Sequence, residues 1–382
     1  MRILILGGDG YLGWPTAMSL SAKGHEVAVV DNYMRRTLML NEGVAPLSHT
    51  PKLHDRTEIW KDITGKAIKI YLGDLKEWEF ISHIFQEFLP ETVIHYAEQP
   101  SAPYSMLRRE SASLTITNNI SVTANVIFAS HEYCPDVHII KLGTMGEYGT
   151  PNIDIEEGWI DVKHKNREEK FLYPRQAGSL YHTTKIMDTD LLWYYVRVWG
   201  LRVTDLMQGP VYGIFTDESL LDSRLLTLFS YDEIFGTVLN RFIVQAVAGY
   251  PLTVYGKGGQ TRGYLNIKDT LQCVSLAIEN PPKEGELNIY NQFTETFSVN
   301  ELALKVKNEA SKFGLEISIK NINNPRKEME EHYYNPAHTG LLELGLKPNY
   351  LTDSVLNKMI EHVLKYKDSI DKKMIFRGVK WA

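Results

Sequence analysis

Tyr181 and Lys185 in the run Tyr181-His182-Thr183-Thr184-Lys185 are four residues apart, so on a helix they share one face, a single turn from each other. A phenol with an ordinary pKa of about 10 is a poor base near neutral pH. A neighbouring ammonium, together with the positive ring of an oxidised nicotinamide, favours its ionised form. A lowering of about three units corresponds to about 4 kcal/mol of preferential phenolate stabilisation. Such a phenolate takes the proton of an alcohol while the carbon beneath releases its hydride, and Thr144 upstream offers a hydroxyl to join the proton path. Tyr-x-x-x-Lys alone occurs by chance in any long helix. It gains weight from the glycines Gly7, Gly10 and Gly13 near the start of the chain.

Those glycines follow the apolar run Ile3–Leu6 and open a helical stretch reaching about Lys23. A buried strand, a tight turn and a helix N-terminus let the backbone approach a pyrophosphate. The turn also carries Asp9, Tyr11 and Leu12. The next strand, Glu26–Asp31, ends in an acid, which suits the free ribose diol of NAD and repels the 2′-phosphate of NADP. Arg35 and Arg36 follow closely, and either could receive such a phosphate, so the preference for NAD rests on Asp31. Further strands are expected at Ile68–Leu72, Thr92–His95, Val137–Leu142 and Arg202–Met207, with helical stretches such as Leu114–Glu132 between them. This alternation predicts an α/β fold, a Rossmann-type doubly wound parallel sheet, with a smaller mixed α/β C-terminal substrate domain. Ligands sit beyond the carboxyl ends of such strands, where Asp31, Asp74, Tyr96, Glu98 and Thr144 fall; Asp74 also reads as a helix cap.

The expected division is 1–208, with 264–292 returning to the sheet, against 209–263 and 293–382. In the second part Asn240 and Arg241 begin a helix, and Leu252–Arg262 reads as a glycine-turned hairpin presenting Gln260 and Arg262. Arginine forks pair with phosphate oxygens, and Arg326 is another candidate. Glu330-Glu331-His332 lacks the i, i+4 spacing of a metal site, so no metal is expected. The long connection between Asp31 and Gly73 suggests a cover over the cofactor or a partner contact.

Formal net charge is −6 and the pI about 6.1, so no general affinity for nucleic acid or anionic membranes is expected. The two cysteines, Cys134 and Cys273, form neither a disulfide framework nor a metal spacing and fit a reducing cytoplasm. No apolar run approaches membrane-spanning length, and the opening strand lacks a signal-peptide core.

The glycine spacing, Thr144 and the Tyr181–Lys185 pair resemble the extended short-chain dehydrogenase/reductase superfamily of nucleotide-sugar enzymes. In its 4,6-dehydratases the segment after the fifth strand reads Thr-Asp-Glu-x-Tyr-Gly, the Asp protonating the departing C6 hydroxyl and the Glu removing the C5 proton. Met145 and Gly146 occupy those places here, with a carboxylate displaced to Glu147. The insertion from Thr150 to Arg175, with the blocks GGDGYLGW, SAPYSM, KLGTMGEYGTPNIDIEEG, YGKGGQTRGYL, NQFTETFSVNEL and EEHYYN, is similar to the UDP-sulfoquinovose synthase family.

That resemblance implies NAD as a recycled cofactor, UDP-glucose and sulfite (or a sulfite-donating protein) as reactants, and carbon–sulfur bond formation grouped formally with the hydrolases. It implies Thr144, Tyr181 and Lys185 at the C4 step, Glu147 as C5 base, His182 assisting at O6, and Met145 shaping the pocket against water. It extends the cofactor contacts to Asn32, Leu75, Asn118, Gln208 and Val211, and the substrate contacts to Thr237, Thr253, Tyr255 and Tyr333. It departs at Glu98-Gln99-Pro100-Ser101, where plant-type members carry an arginine at the third position. Arg108, Arg109 or backbone N–H groups are then the expected anion contacts. The aromatic helix holding Trp193, Tyr194, Tyr195 and Trp199, paired with Leu114–Glu132, implies a homodimer. A UDP-hexose 4-epimerase, a 4,6-dehydratase and a non-catalytic NAD-sensing regulator remain the alternatives at this point.

Overall fold

The structure is a computed structural model and describes residues 1–325 and 332–379. Apolar runs form the strands β1 (Arg2–Leu6), β2 (Glu26–Asp31), β3 (Ile68–Leu72), β4 (Thr92–His95) and β5 (His138–Thr144). The insertion folds as the hairpin β6 (Trp159–His164) and β7 (Arg167–Leu172), followed by β8 (Arg202–Gln208), β9 (Val211–Tyr212), β10 (Leu252–Tyr255) and β11 (Thr261–Asn266). The last strands are β12 (Leu287–Gln292), β13 (Glu295–Ser298) and β14 (Ile319–Ile322).

Seven of these pair in the order β12-β8-β5-β4-β1-β2-β3, every neighbour parallel, which is the Rossmann-like sheet expected. Its central strands are buried on both faces, which is why they read as runs rich in Ile, Leu and Val without strict alternation, with Lys141 the exception in β5. The chain winds outward from β1 to β3 and then restarts at β4 on the other side of β1. That reversal opens a crevice at the carboxyl ends of β1 and β4, the place where such sheets bind ligands.

The helix Leu180–Trp199 carries the Tyr-Lys pair; Ser179 caps its first turn by accepting from the His182 N–H, and Gly200 ends it in the left-handed region (φ 74°). It packs against Arg109–Tyr133, a helix longer at both ends than the periodicity suggested. The hairpin of β6 and β7 turns through Lys165 and Asn166, both at positive φ, and sets Trp159 edge-on to Trp193 at 5.0 Å.

Leu252–Arg262 is not a hairpin. β10 pairs in parallel with β14, while β11 pairs with β13 and β9. The turn from Gly256 to Gln260 therefore links two different sheets, because partners distant in sequence outcompete the local pairing that its glycines suggested.

Candidate active site

One cleft of about 550 Å³ runs from the glycine turn of β1 across the switch point to the β10–β11 region. Gly7, Gly10, Tyr11, Leu12 and Gly13 line its cofactor end, with Asp31, Asn32, Arg35, Asp74, Leu75, Tyr96, Glu98, Asn118, Gln208 and Val211 along it. Gly7 sits at φ 89°, and a Cβ on Gly13 would lie 2.0 Å from the Gly7 carbonyl oxygen. Only bare backbone permits that approach, so the turn fits a dinucleotide pyrophosphate. Asp31 accepts from the backbone N–H of Asp9 at 2.8 Å and of Tyr33 at 2.7 Å. Burial, then the neighbouring Asp9 carboxylate, pushes its pKa up to about 6.

Two residues expected at this end do not line the cleft. Asp9 is buried and holds arginines: Arg36 meets it through Nε at 2.6 Å and Nη2 at 2.9 Å, and Arg56 through Nη2 at 2.5 Å. Arg36 is thereby drawn into the connection after β2. That connection folds as the helices Met34–Asn41 and Leu53–Thr64 and is anchored by Trp60, whose indole donates to Ser21 Oγ.

At the reaction end, Thr144 closes β5, and Met145, Gly146, Tyr181 and His182 face the same space. Lys185 does not line the cleft; its ammonium is salt-bridged to Glu98, which does. The expectation that lysine lowers the phenol needs correction. Burial first, then the Glu98 and Glu147 carboxylates, push the Tyr181 phenol well above its ordinary value. Lys141 acts in the opposite sense, and a positive nicotinamide ring would add to it.

Glu147 also departs from expectation. It is fully buried and off the cleft, with Oε1 accepting from Lys141 Nζ at 3.2 Å and from the Thr144 N–H at 3.3 Å. Its Oε2 lies 3.4 Å from Arg175 Nη1. Lys141 also donates to Thr189 Oγ1 at 2.6 Å and to Asp205 Oδ2 at 3.2 Å. A general base must reach its proton directly or through one water, and this carboxylate is committed to a buried ionic cluster instead. His182, by contrast, lines the cleft. The imidazole Nδ1 is 3.0 Å from Ser179 Oγ, and a Cβ built on Gly146 would lie 2.4 Å from Nε2. The ring thus covers Gly146, the position where the dehydratase motif carries its glutamate.

The substrate end is lined by Thr237, Asn240, Arg241, Thr253, Tyr255, Gln260 and Arg262. Arg241 is mostly buried, its guanidinium 4.9 Å from the Tyr255 ring centroid, and its Nε and Nη2 have no hydrogen-bond partner among the described residues. Unpaired buried donors call for an anion, and a diphosphate fits. Tyr333 points away, its hydroxyl donating to Asp154; Tyr334, which the sequence did not single out, lines the cleft and accepts from the Gly263 N–H at 3.0 Å. Arg326 lies outside the described residues. Arg108 is ion-paired with Glu42, Arg109 is exposed beside Glu110, and neither reaches the cleft.

The chain matches the model of the NAD dependent epimerase/dehydratase family over residues 3–291 and belongs to that family, with NAD as its cofactor. Solved structures of UDP-glucose 4-epimerases share the fold. The Thermotoga maritima enzyme with UDP-glucose superposes at a TM-score of 0.72 and 22% identity, covering 96% of this chain and 99% of that one. The Thermus thermophilus enzyme with NAD gives 0.68 at 22%, covering 95% and 99%. Within the family, the chain belongs with the UDP-sulfoquinovose synthases. It is 50% identical over 380 residues to the spinach (Spinacia oleracea) chloroplastic enzyme, covering 100% of this chain and 79% of that protein. It is 44% identical over 384 residues to the Sulfolobus acidocaldarius enzyme, covering 100% and 98%. Both relatives are named synthases and their reaction is of the lyase type, which overturns the grouping with hydrolases.

Proposed function

We propose that this enzyme converts UDP-glucose and sulfite to UDP-6-sulfoquinovose and water. The observation that carries this reading is the His182 ring over Gly146, beside Thr144, Tyr181 and Met145, where a dehydratase would present two carboxylates. NAD, held along the cofactor end of the cleft, would supply reversible hydride chemistry at C4. Tyr181, with Thr144 in the proton path, takes the O4 proton. The resulting 4-ketone acidifies C5–H, and His182 removes that proton and delivers one to the departing C6 hydroxyl. Water leaves, and the sulfur lone pair of sulfite adds to C6 of the 4-keto-5,6-ene. His182, protonated again by the proton that enters with hydrogen sulfite, gives it to C5, and Tyr181 returns its proton to O4. Met145 shields the enone from water, and Arg241, Gln260 and Arg262 hold the uridine diphosphate.

The proposed organisation keeps the cofactor on 1–208 with 264–292 and the sugar nucleotide on 209–263 and 293–382. A homodimer across Arg109–Tyr133 and Leu180–Trp199 is proposed from the exposed Ile116, Phe128, Met187, Tyr194 and Val198 on those helices. Among the described residues no helix is long and apolar enough to cross a membrane. The free cysteines Cys134 and Cys273 support a reducing, cytoplasmic setting.

Incubation with UDP-glucose and NAD, with and without sulfite, tests the assignment by mass spectrometry. A sulfonated nucleotide sugar formed only with sulfite, and lost in Tyr181→Phe, is expected. UDP-galactose or a 6-deoxy-4-keto product would overturn it.

A further inference from the structure

Two arginines follow the acid end of β2, and either could in principle receive the 2′-phosphate of NADP; the structure accounts for both. Arg35 lines the cleft but leans to its substrate side, its guanidinium carbon 4.1 Å from the Phe235 ring centroid and Nη2 3.4 Å from Ser230 Oγ. Arg36 is enclosed. Nε and Nη2 fork onto the Asp9 carboxylate at 2.6 and 2.9 Å, Nη1 donates to the Thr50 carbonyl at 2.8 Å, and Nη2 donates also to the Pro51 carbonyl at 2.9 Å. All three of its nitrogens are engaged. Asp9 is only 2% exposed, shares its Oδ1 with the buried Arg56, and is tied through its own N–H to the Asp31 carboxylate.

We propose that Asp9 is a second determinant of the choice of NAD over NADP, acting by holding Arg36 in a closed ion pair so that it cannot receive a 2′-phosphate. Asp31 repels that phosphate, and Asp9 withholds the cation that would compensate. The acid in the glycine turn thus acts on the far end of the cofactor through a side chain 27 positions further on. This proposal concerns the adenosine end alone and stands independently of the sugar chemistry.

Calorimetric titration of cofactor-stripped protein with NAD and NADP at fixed ionic strength tests it, with circular dichroism to verify folding. Asp31→Ser alone removes the repulsion but leaves Arg36 enclosed, so its NADP affinity rises by less than about tenfold. Adding Asp9→Asn releases Arg36, and adding Arg56→Met removes the buried charge that would otherwise lose its partner. This triple variant binds NADP at least about tenfold more tightly than Asp31→Ser, the gain of a charge-assisted fork on phosphate. Arg36→Met then abolishes that gain. A triple variant no tighter than Asp31→Ser, or a gain that survives Arg36→Met, overturns the proposal. Should the triple variant not fold, Asp31→Ser is compared with Asp31→Ser/Arg36→Met. Enclosure predicts NADP-to-NAD affinity ratios within about twofold of each other, whereas a loss of about fivefold or more in the second shows that Arg36 was already available.

Discussion

Replacing Gly146 by alanine puts a methyl group where the His182 ring already stands. The added carbon would lie 2.4 Å from Nε2, 2.5 Å from Cδ2 and 2.8 Å from Cε1. Gly146 is not at positive φ, so the backbone accepts alanine and the strain falls on the ring. Reaching ordinary contact requires the ring to retreat by about 1 Å. Its Nδ1 is held by Ser179 Oγ at 3.0 Å, so the retreat also weakens a hydrogen bond whose net contribution is about 1 kcal/mol. A displacement of about 1 Å at a proton-transferring group lowers the rate by about 100-fold, equivalent to about 2.7 kcal/mol in the barrier.

The three atoms nearest to that methyl all belong to His182, so the effect should separate by step. In single turnovers with UDP-glucose, the near-ultraviolet absorbance of reduced nicotinamide reports oxidation at C4, deuterium uptake reports exchange at C5, and mass reports sulfonation. Gly146→Ala should leave the absorbance step within about threefold and lower both C5 exchange and sulfonation by about 100-fold. In a His182→Ala background the ring is gone, and Gly146→Ala should have almost no further effect. Full sulfonation in Gly146→Ala, or additive losses in the double variant, would refute the assignment of C5 and C6 chemistry to His182.

Glu147→Gln leaves Lys141 and Asp205 in a buried cluster short of one charge, so it should lower unfolding free energy by about 3–5 kcal/mol in urea titrations. C5 exchange per folded molecule should stay within a few-fold; native stability with a 100-fold loss of exchange would return the base to Glu147. Asp31, raised to about 6 by burial and then by Asp9, must be ionised to accept from a ribose diol. Its charged form is lost as pH falls through that value. NAD affinity measured calorimetrically should therefore be flat above about pH 7 and drop by up to tenfold per unit below about 6. Asp31→Asn should abolish that slope, and a slope that persists would place the titration elsewhere. Met145→Asp puts a carboxylate and its water into the cleft wall beside Thr144; dehydrated or hydrolysed by-products should rise, and unchanged product partitioning would show that Met145 does not shield the enone.

The parallel sheet and the glycine turn were readable in the sequence because each depends on short-range features. Apolar runs of four to seven residues, a backbone turn that only glycine allows, and an acid closing β2 all lie within a few residues of one another. What escaped the sequence depends on side-chain direction and on distant register. Tyr333 and Tyr334 are adjacent in a stretch outside any helix or strand, yet one hydroxyl reaches Asp154 while the other side chain lines the cleft. The short turn Met145–Glu147 likewise presents Met145 to the sugar side and sends Glu147 beneath it, although both sit in the same motif.

Lys141 was a visible warning. A cation inside His138-Ile139-Ile140-Lys141-Leu142, a strand buried on both faces, has to find buried anions. Which anions it finds is set by the parallel register of β5 and β8, which places Lys141 opposite Asp205, and by the turn that folds Glu147 back. A carboxylate one turn from the catalytic threonine is the natural choice of base only while that lysine goes unexplained. Once Lys141 has claimed Glu147, the proposed C5 step needs another proton acceptor, and the ring over Gly146 is a group that the cleft presents for it.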